Sequence, residues 1–199
     1  METLPALKRI LEDRHEEYCS DVTYYYMAAS YEACRYIAKL MHERKTKLIL
    51  DMGSGISTYT MYLYKMLSAD NDIKIWSVET DDRFRKKTIN FIKNNLLNFV
   101  IEEDKFIMWD EVEILNGVPF DLIFCDIGGT KERRTKFPKV VELDMLGENS
   151  AVLFDDCNKV TPMNAWFKKY TFKSKKLQKE TMDKIKRWCT LFYDIRKIE

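Results

Sequence analysis

Acidic side chains stand where five predicted strands end, and their placement is the first sign of chemistry. These acids are Asp51, Glu79, Asp110, Asp126 and Asp155. Parallel strands present their carboxyl ends at one edge of a sheet, so the five carboxylates should lie near one another. Like charges repel, and a cationic ligand or a metal ion would relieve that repulsion. The sequence therefore predicts a site for a positively charged group.

A glycine turn follows the first of these strands. The apolar run 48–50 ends in Asp51, and Gly53 and Gly55 follow at alternate positions before a helix-like segment. Such a turn exposes backbone N–H groups and lets a ligand come close. The Asp51 carboxylate would repel the pyrophosphate of NAD but attract the ammonium and sulfonium of S-adenosylmethionine (SAM). Thr58 also replaces the third glycine of the dinucleotide fingerprint, so SAM is favoured and a dehydrogenase is the alternative.

Glu79 ends the next predicted strand. A carboxylate there can accept hydrogen bonds from both ribose hydroxyls of an adenosine. A helix-capping role is the alternative, but Asp81 and Asp82 already supply caps. Glu79 therefore indicates a nucleoside ligand, without choosing between SAM and NAD.

Alternating strands and helices must position these residues. Strands are predicted at 47–51, 73–79, 105–109, 120–126, 150–155, 171–177 and 189–195. Helices are predicted at 57–68, 82–95, 134–145 and 161–170, after two helices within 5–44. This order is typical of an α/β fold with helices on both faces of a parallel sheet. We predict a helical extension over 1–46, acting as a lid or packing on the sheet, and one ligand-binding unit over 47–199.

These motifs resemble those of the class I SAM-dependent methyltransferases, in a branch of small O-methyltransferase-like proteins. The resemblance rests on the acid-x-Gly-x-Gly turn 51–55, the strand 120–126, the paired acids after 150–154 and the run 188–194. It covers about 47–199 and does not reach the N-terminal helices. It implies a three-layer Rossmann-like fold with a seven-stranded, mostly parallel sheet and an antiparallel last strand.

The resemblance also implies a function and a set of site residues. The expected function is transfer of a methyl group from SAM to a small-molecule acceptor, most simply at oxygen. Asp126 should face the acceptor and serve as base if the nucleophile carries a proton. The residues expected to hold SAM are Asp51, Gly53, Ser54, Gly55, Ser57, Glu79, Thr80 and Asp110.

Metal-dependent members of this family hold a cation at positions matching Asp126, Asp155 and Asp156. Three carboxylates suit a hard cation such as Mg²⁺. However, Asp156 stands where those enzymes have asparagine, and Gly129 stands where they carry a catalytic lysine. We therefore predict no metal ligand and keep a divalent metal as the alternative.

Composition bounds the remaining expectations. The chain has 199 residues, of which 46% are hydrophobic and 33% charged, as in an ordinary soluble domain. No apolar run is long enough to span a membrane, and no signal peptide is evident. The five cysteines form no C-x-x-C pair, which indicates reduced thiols in a cytoplasmic protein. Because no apolar run is long enough to span a bilayer, no membrane partner is expected.

Charge is unevenly distributed along the chain. Its formal net charge is +1, yet residues 159–199 hold twelve Lys or Arg against four Asp or Glu. A solvated lysine-rich face is the favoured interpretation. An RNA or other nucleic-acid methyltransferase that uses this segment is an alternative function, and a non-catalytic SAM-binding module is another. The tyrosines at 24–26 could stack on a planar substrate. Packing on the sheet, or a contact between copies of the chain in a homo-oligomer, is the alternative.

Overall fold

One seven-stranded sheet runs through the protein, whose computed structural model describes residues 3–20, 28–155, 170–179 and 187–198. Its strands are β1 (Leu48–Met52), β2 (Lys74–Glu79), β3 (Phe106–Met108), β4 (Phe120–Cys125), β5 (Leu146–Phe154), β6 (Tyr170–Lys179) and β7 (Arg187–Lys197). Their order in the sheet is β3-β2-β1-β4-β5-β7-β6. Strands β1 to β5 are parallel, whereas β7 is antiparallel to both β5 and β6. The predicted mostly parallel sheet with an antiparallel last strand is confirmed.

Helices cover both faces of the sheet and give three layers. They are α1 (Thr3–Cys19), α2 (Tyr31–Arg44), α3 (Ile56–Ser68), α4 (Asp82–Asn95) and α5 (Thr130–Glu142). Helices α1 to α4 share one apolar core with the sheet, and α5 shares a second core with the other face. Within the described ranges, no helix combines the length and hydropathy that a membrane span requires.

Helix α3 is the centre of the first layer. Every residue from 56 to 65 is buried, which is unusual for a helix and means that it has neighbours on all sides. It contacts α1 and α2 on its outer side and α4 and β2 on the others. The N-terminal helices therefore pack on α3, while the division of the chain at residue 46 stays a prediction.

Several predicted boundaries need correction. Helix α5 occupies 130–142 rather than 134–145, because the Glu132 carboxylate accepts the Gly129 N–H at 2.9 Å and caps an earlier start. Strand β5 begins at Leu146 rather than residue 150, and Trp109 lies in a 3₁₀ helix rather than a strand. Residues 161–169 of a predicted helix lie outside the described residues, and Tyr170, its last residue, begins β6.

The tyrosines at 24–26 and Asp156 also lie outside the described residues, so no structural statement is made about them. Four cysteines are described, and all are buried free thiols: Cys19, Cys34, Cys125 and Cys189. Their burial makes them small apolar side chains of the core rather than ligands at a surface.

Candidate functional site

A cleft of about 410 Å³ opens at the carboxyl ends of β1, β2 and β4. That volume lies within the range of small-molecule sites. The predicted site residues that line it are Gly53, Ser54, Gly55, Ser57, Glu79, Thr80 and Asp126. Two predicted residues, Asp51 and Asp110, do not line it among the described residues. The edge of the sheet that the sequence indicated therefore carries a cleft, although not every acid reaches it.

Gly53 joins the turn after β1 to the backbone after β4. Its φ is +114°, a conformation that favours glycine, and its N–H donates to the Val78 carbonyl at 2.8 Å. A Cβ added there would lie 2.9 Å from the Asp126 carbonyl carbon and 2.9 Å from the Ile127 nitrogen. The two neighbouring turns can approach this closely only because residue 53 has no side chain.

Hydroxyl groups fix the rest of the turn at the start of α3. The Ser54 and Ser77 hydroxyls are 2.6 Å apart, and the Thr58 hydroxyl lies 3.3 Å from that of Ser77. The Gly55 N–H donates to the Thr58 hydroxyl at 3.1 Å. This network ties the cleft-lining turn to β2 and leaves it little freedom to rearrange.

Asp51 lies beneath the turn rather than on the cleft wall. Its side chain is fully buried, and its Oδ2 accepts hydrogen bonds from Ser57 at 2.9 Å and Thr58 at 2.5 Å. Its Oδ1 is buried without a hydrogen-bond partner among the described residues. Burial raises the pKa of Asp51 to about 7, against the opposing effect of the two hydroxyl donors. A cation bound above the turn would favour the ionised form of this carboxylate.

Glu79 ends β2 and lines the cleft directly. Its Oε1 accepts hydrogen bonds from the Thr80 N–H at 2.5 Å, the Thr80 hydroxyl at 3.1 Å and the Asp81 N–H at 3.3 Å. Burial raises the pKa of Glu79, and these backbone donors oppose the rise. The residue is only 7% exposed, so its carboxylate is held in one place by its own following turn.

Asp126 follows β4 and is paired with an arginine that sequence reasoning missed. Arg133 on α5 places Nη2 on the Asp126 Oδ1, and its Nη1 donates to the Asp155 carbonyl. The two side chains are each 9% exposed, and both line the cleft. In the sequence, this pair is visible only as an arginine seven positions after the acid that ends β4. An arginine at that spacing can equally lie on the solvent-exposed face of a helix, so the spacing does not predict the pair.

Asp155 follows β5 and lies behind the cleft wall. It is buried, its N–H donates to the Cys125 carbonyl at 3.1 Å, and its Oδ1 accepts the Cys189 thiol at 3.1 Å. A guanidinium already lies on Asp126, so these two carboxylates do not fit a shared divalent ion. Among the described residues, no group of three or more His, Cys, Asp or Glu could hold a metal.

Asp110, which was expected among the residues that hold SAM, is not brought to the cleft. The chain enters a 3₁₀ helix, Trp109–Leu115, directly after β3, and the Glu111 carboxylate accepts the Met108 N–H at 2.8 Å. Asp110 instead lines a separate depression with Arg85 and Ile107. The strand prediction assumed that residue 109 continued β3, which would have carried Asp110 to the sheet edge.

The N-terminal helices contribute to the cleft through Tyr18. Its hydroxyl lies 3.2 Å from the Thr88 hydroxyl, and its ring packs edge-on against Phe91 at 5.0 Å. The same hydroxyl lies 3.6 Å from the position that a Cβ on Gly55 would take. The sequence identifies Tyr18 only as an apolar position of a helix, because nothing local shows that this helix reaches the glycine turn.

Known structures of methyltransferases share this fold. The SAH-bound methyltransferase PaMTH1 of Podospora anserina matches with a TM-score of 0.66 at 15% identity, over 96% of this chain and 88% of its own. The O-methyltransferase of Bacillus cereus in complex with SAH matches with a TM-score of 0.63 at 14% identity, over 93% of this chain and 90% of its own. A third match is TomG of Streptomyces achromogenes, an O-methyltransferase involved in tomaymycin synthesis, in complex with SAM. Its TM-score is 0.62 at 15% identity, over 97% of this chain and 89% of its own.

These matches establish the class of fold: the chain has the Rossmann-like fold of these methyltransferases. No protein-family model matches the sequence, and no curated protein is similar to it.

Proposed function

We propose that this chain is a SAM-dependent methyltransferase that transfers a methyl group to a small-molecule acceptor, at oxygen. The observation that carries the proposal is the cleft in which the Gly53–Gly55 turn faces the Glu79 carboxylate across the ends of β1 and β2. The shared fold with methyltransferases crystallised with SAM or SAH supports the same ligand here.

The chemistry of the donors and acceptors fits SAM. The turn offers backbone N–H groups and space for close approach, and Glu79 can accept hydrogen bonds from ribose hydroxyls. The buried Asp51 carboxylate, with one oxygen unpartnered, stabilises positive charge above the turn. We therefore assign SAM binding to Gly53, Ser54, Gly55, Ser57, Glu79 and Thr80, with Asp51 acting from beneath.

Methyl transfer asks little of the protein beyond alignment and exclusion of water. SAM, when bound, supplies a methyl group on a sulfonium leaving group. Asp126 lines the same cleft as the glycine turn and would orient the acceptor hydroxyl and take up its proton.

The basic C-terminal strands give less support to a nucleic-acid acceptor. Lys173 pairs with Asp194 at 2.9 Å, and Lys197 pairs with Asp144 at 3.1 Å. Two of the lysines that raised this alternative therefore have acidic partners within the same chain. An RNA-dependent activity would show binding that falls steeply with salt.

Calorimetry with SAH and NAD tests the ligand assignment. We expect wild-type protein to bind SAH and not NAD, and Glu79→Gln to weaken SAH affinity by about 10- to 100-fold, since a charge-assisted hydrogen bond contributes about 1.5–3 kcal/mol. Glu142→Gln, at an exposed position on α5, is the matched control and should leave SAH affinity unchanged. Equal SAH affinity in the two variants would remove Glu79 from the site, and NAD binding alone would favour a dehydrogenase.

Mass-spectrometric detection of methylated products then tests turnover. We expect transfer from SAM to members of a panel of small hydroxylated molecules and no transfer to RNA. SAH binding without any product from a broad panel would instead indicate the non-catalytic module.

A further inference from the structure

The Asp126 carboxylate, which the proposed function places beside the acceptor, already has a cation from the same chain. Asp126, at the end of β4, forms an ion pair with Arg133, and both side chains are 9% exposed. An arginine guanidinium remains protonated at any pH at which a protein is folded, so this positive charge is permanent. A divalent ion on the Asp126 carboxylate would have to share it with that charge or displace it.

Two contacts hold the guanidinium in place, and a backbone bond fixes the residue that carries it. Arg133 sits in the first turn and a half of α5, with its N–H bonded to the Gly129 carbonyl at 3.0 Å. Its Nη1 donates to the Asp155 carbonyl while its Nη2 contacts Asp126. The planar fork of the guanidinium therefore bridges the ends of β4 and β5, a geometry that a compact ammonium could not reproduce.

The second carboxylate at this edge is also engaged. The Asp155 Oδ1 accepts the Cys189 thiol, and Asp155 is 2% exposed. The ends of β4 and β5 therefore carry the Arg133–Asp126 ion pair, whose net charge is zero, and the buried Asp155 carboxylate. A divalent cation prefers several ionised oxygens around one point, and here one oxygen of each carboxylate already contacts a neighbouring donor.

We propose that the Arg133 guanidinium occupies the position on the Asp126 carboxylate that a divalent metal ion would otherwise take. The inference rests on the proposed methyltransferase function. Arg133 is then a positioning residue: it holds the Asp126 carboxylate against the cleft wall, and Asp126 contacts the acceptor.

Binding of Mn²⁺, followed by electron paramagnetic resonance of the free ion, tests this inference without requiring the acceptor. Wild-type protein, alone and saturated with SAH, should show no saturable Mn²⁺ site below millimolar concentration. Arg133→Gln removes the positive charge that is paired with the Asp126 carboxylate and leaves that carboxylate without its counter-charge. This variant should therefore bind Mn²⁺ at least about tenfold more tightly than the wild type. The double variant Arg133→Gln/Asp126→Asn should lose that gain.

Arg134→Gln is the matched control, because it removes the same charge from the next, exposed position of α5. It should behave as wild type. If Arg133→Gln does not fold, Arg133→Met replaces it, because it keeps an unbranched side chain and also removes the charge, and the same gain in Mn²⁺ affinity is expected. Arg133→Lys keeps a positive charge beside Asp126 and should still exclude Mn²⁺.

Each result decides the inference. A saturable wild-type Mn²⁺ site at micromolar concentration, a folded Arg133→Gln variant without any gain, an equal gain in Arg134→Gln, or a saturable site in Arg133→Lys would overturn it. Calorimetry with SAH on the same samples separates the two proposals. Failure to bind SAH rejects the methyltransferase assignment, whereas the Mn²⁺ series still decides whether Arg133 excludes a metal.

Discussion

Replacement of Gly53 by alanine should damage both the fold and the cleft, because residue 53 is where two strand ends meet. At φ +114° an alanine is strained, at a cost of about 1–3 kcal/mol. The added Cβ would also lie 2.9 Å from the Asp126 carbonyl carbon and the Ile127 nitrogen, so the backbone after β4 must move. Such overpacking costs a further amount of about 1–3 kcal/mol.

Gly117 supplies the control for the conformational part of that cost. Its φ is +73°, so alanine is strained there too, but a Cβ would meet nothing within 4 Å. Gly117→Ala should therefore lose about 1–2 kcal/mol, and Gly53→Ala about 2 kcal/mol more. Urea titration monitored by circular dichroism measures both losses.

Ligand binding separates the two variants further. A shift of the Asp126 backbone carries Asp126 and the adjoining turn away from their places on the cleft wall, so we expect Gly53→Ala to bind SAH at least about tenfold more weakly. Gly117→Ala should bind SAH as the wild type does. If both variants lose the same stability and both retain SAH affinity, the close approach at residue 53 has no part in building the site.

The remaining predictions concern a buried charge and the second core. Burial raises the pKa of Asp51 from its ordinary value of 3.8 to about 7, so the folded state retains the proton to higher pH than the unfolded chain does. The contribution of Asp51 to stability therefore falls as pH rises from about 4 to about 7. Asp51→Asn abolishes that fall, and its unfolding free energy relative to wild type should increase by up to about 3 kcal/mol between pH 5 and pH 8 in urea titrations. A relative free energy that does not change with pH would contradict this account. Phe137 is fully buried with its ring centroid 4.6 Å from that of Phe154, so Phe137→Ala should lose about 3–5 kcal/mol by the same measurement. A loss below about 1 kcal/mol would show that this part of the core repacks.

The strands could be predicted from sequence because most of them are apolar runs buried on both faces. Strands β1 and β4 were located to within one residue for this reason. Strand β5 was predicted too short, since Glu148 and Asn149 are exposed and interrupt its apolar run at the point where the chain enters the sheet. Gly147 in that segment lies against the Phe120 carbonyl, a contact that no local pattern reveals.

The site could be predicted only as far as strand ends determine it. The glycine turn, Glu79 and Asp126 follow from their places after strands, and all three line the cleft. The repulsion expected among the acids was assigned wholly to an external cation, whereas Arg133 supplies part of the relief. That pairing depends on the angle at which α5 leaves β4, which residue types alone do not encode.

The two outer strands of the sheet also bear on how the protein behaves at high concentration. An open strand can recruit a strand from another molecule and so seed aggregation. On one side, β3 spans only Phe106–Met108 before the chain turns into a helix, which offers little length to pair with. On the other, β6 exposes Lys173 and Lys175, whose hydrated ammonium groups an incoming strand would have to dehydrate. The exposed lysines of β6 therefore disfavour addition of a further strand at this edge of the sheet.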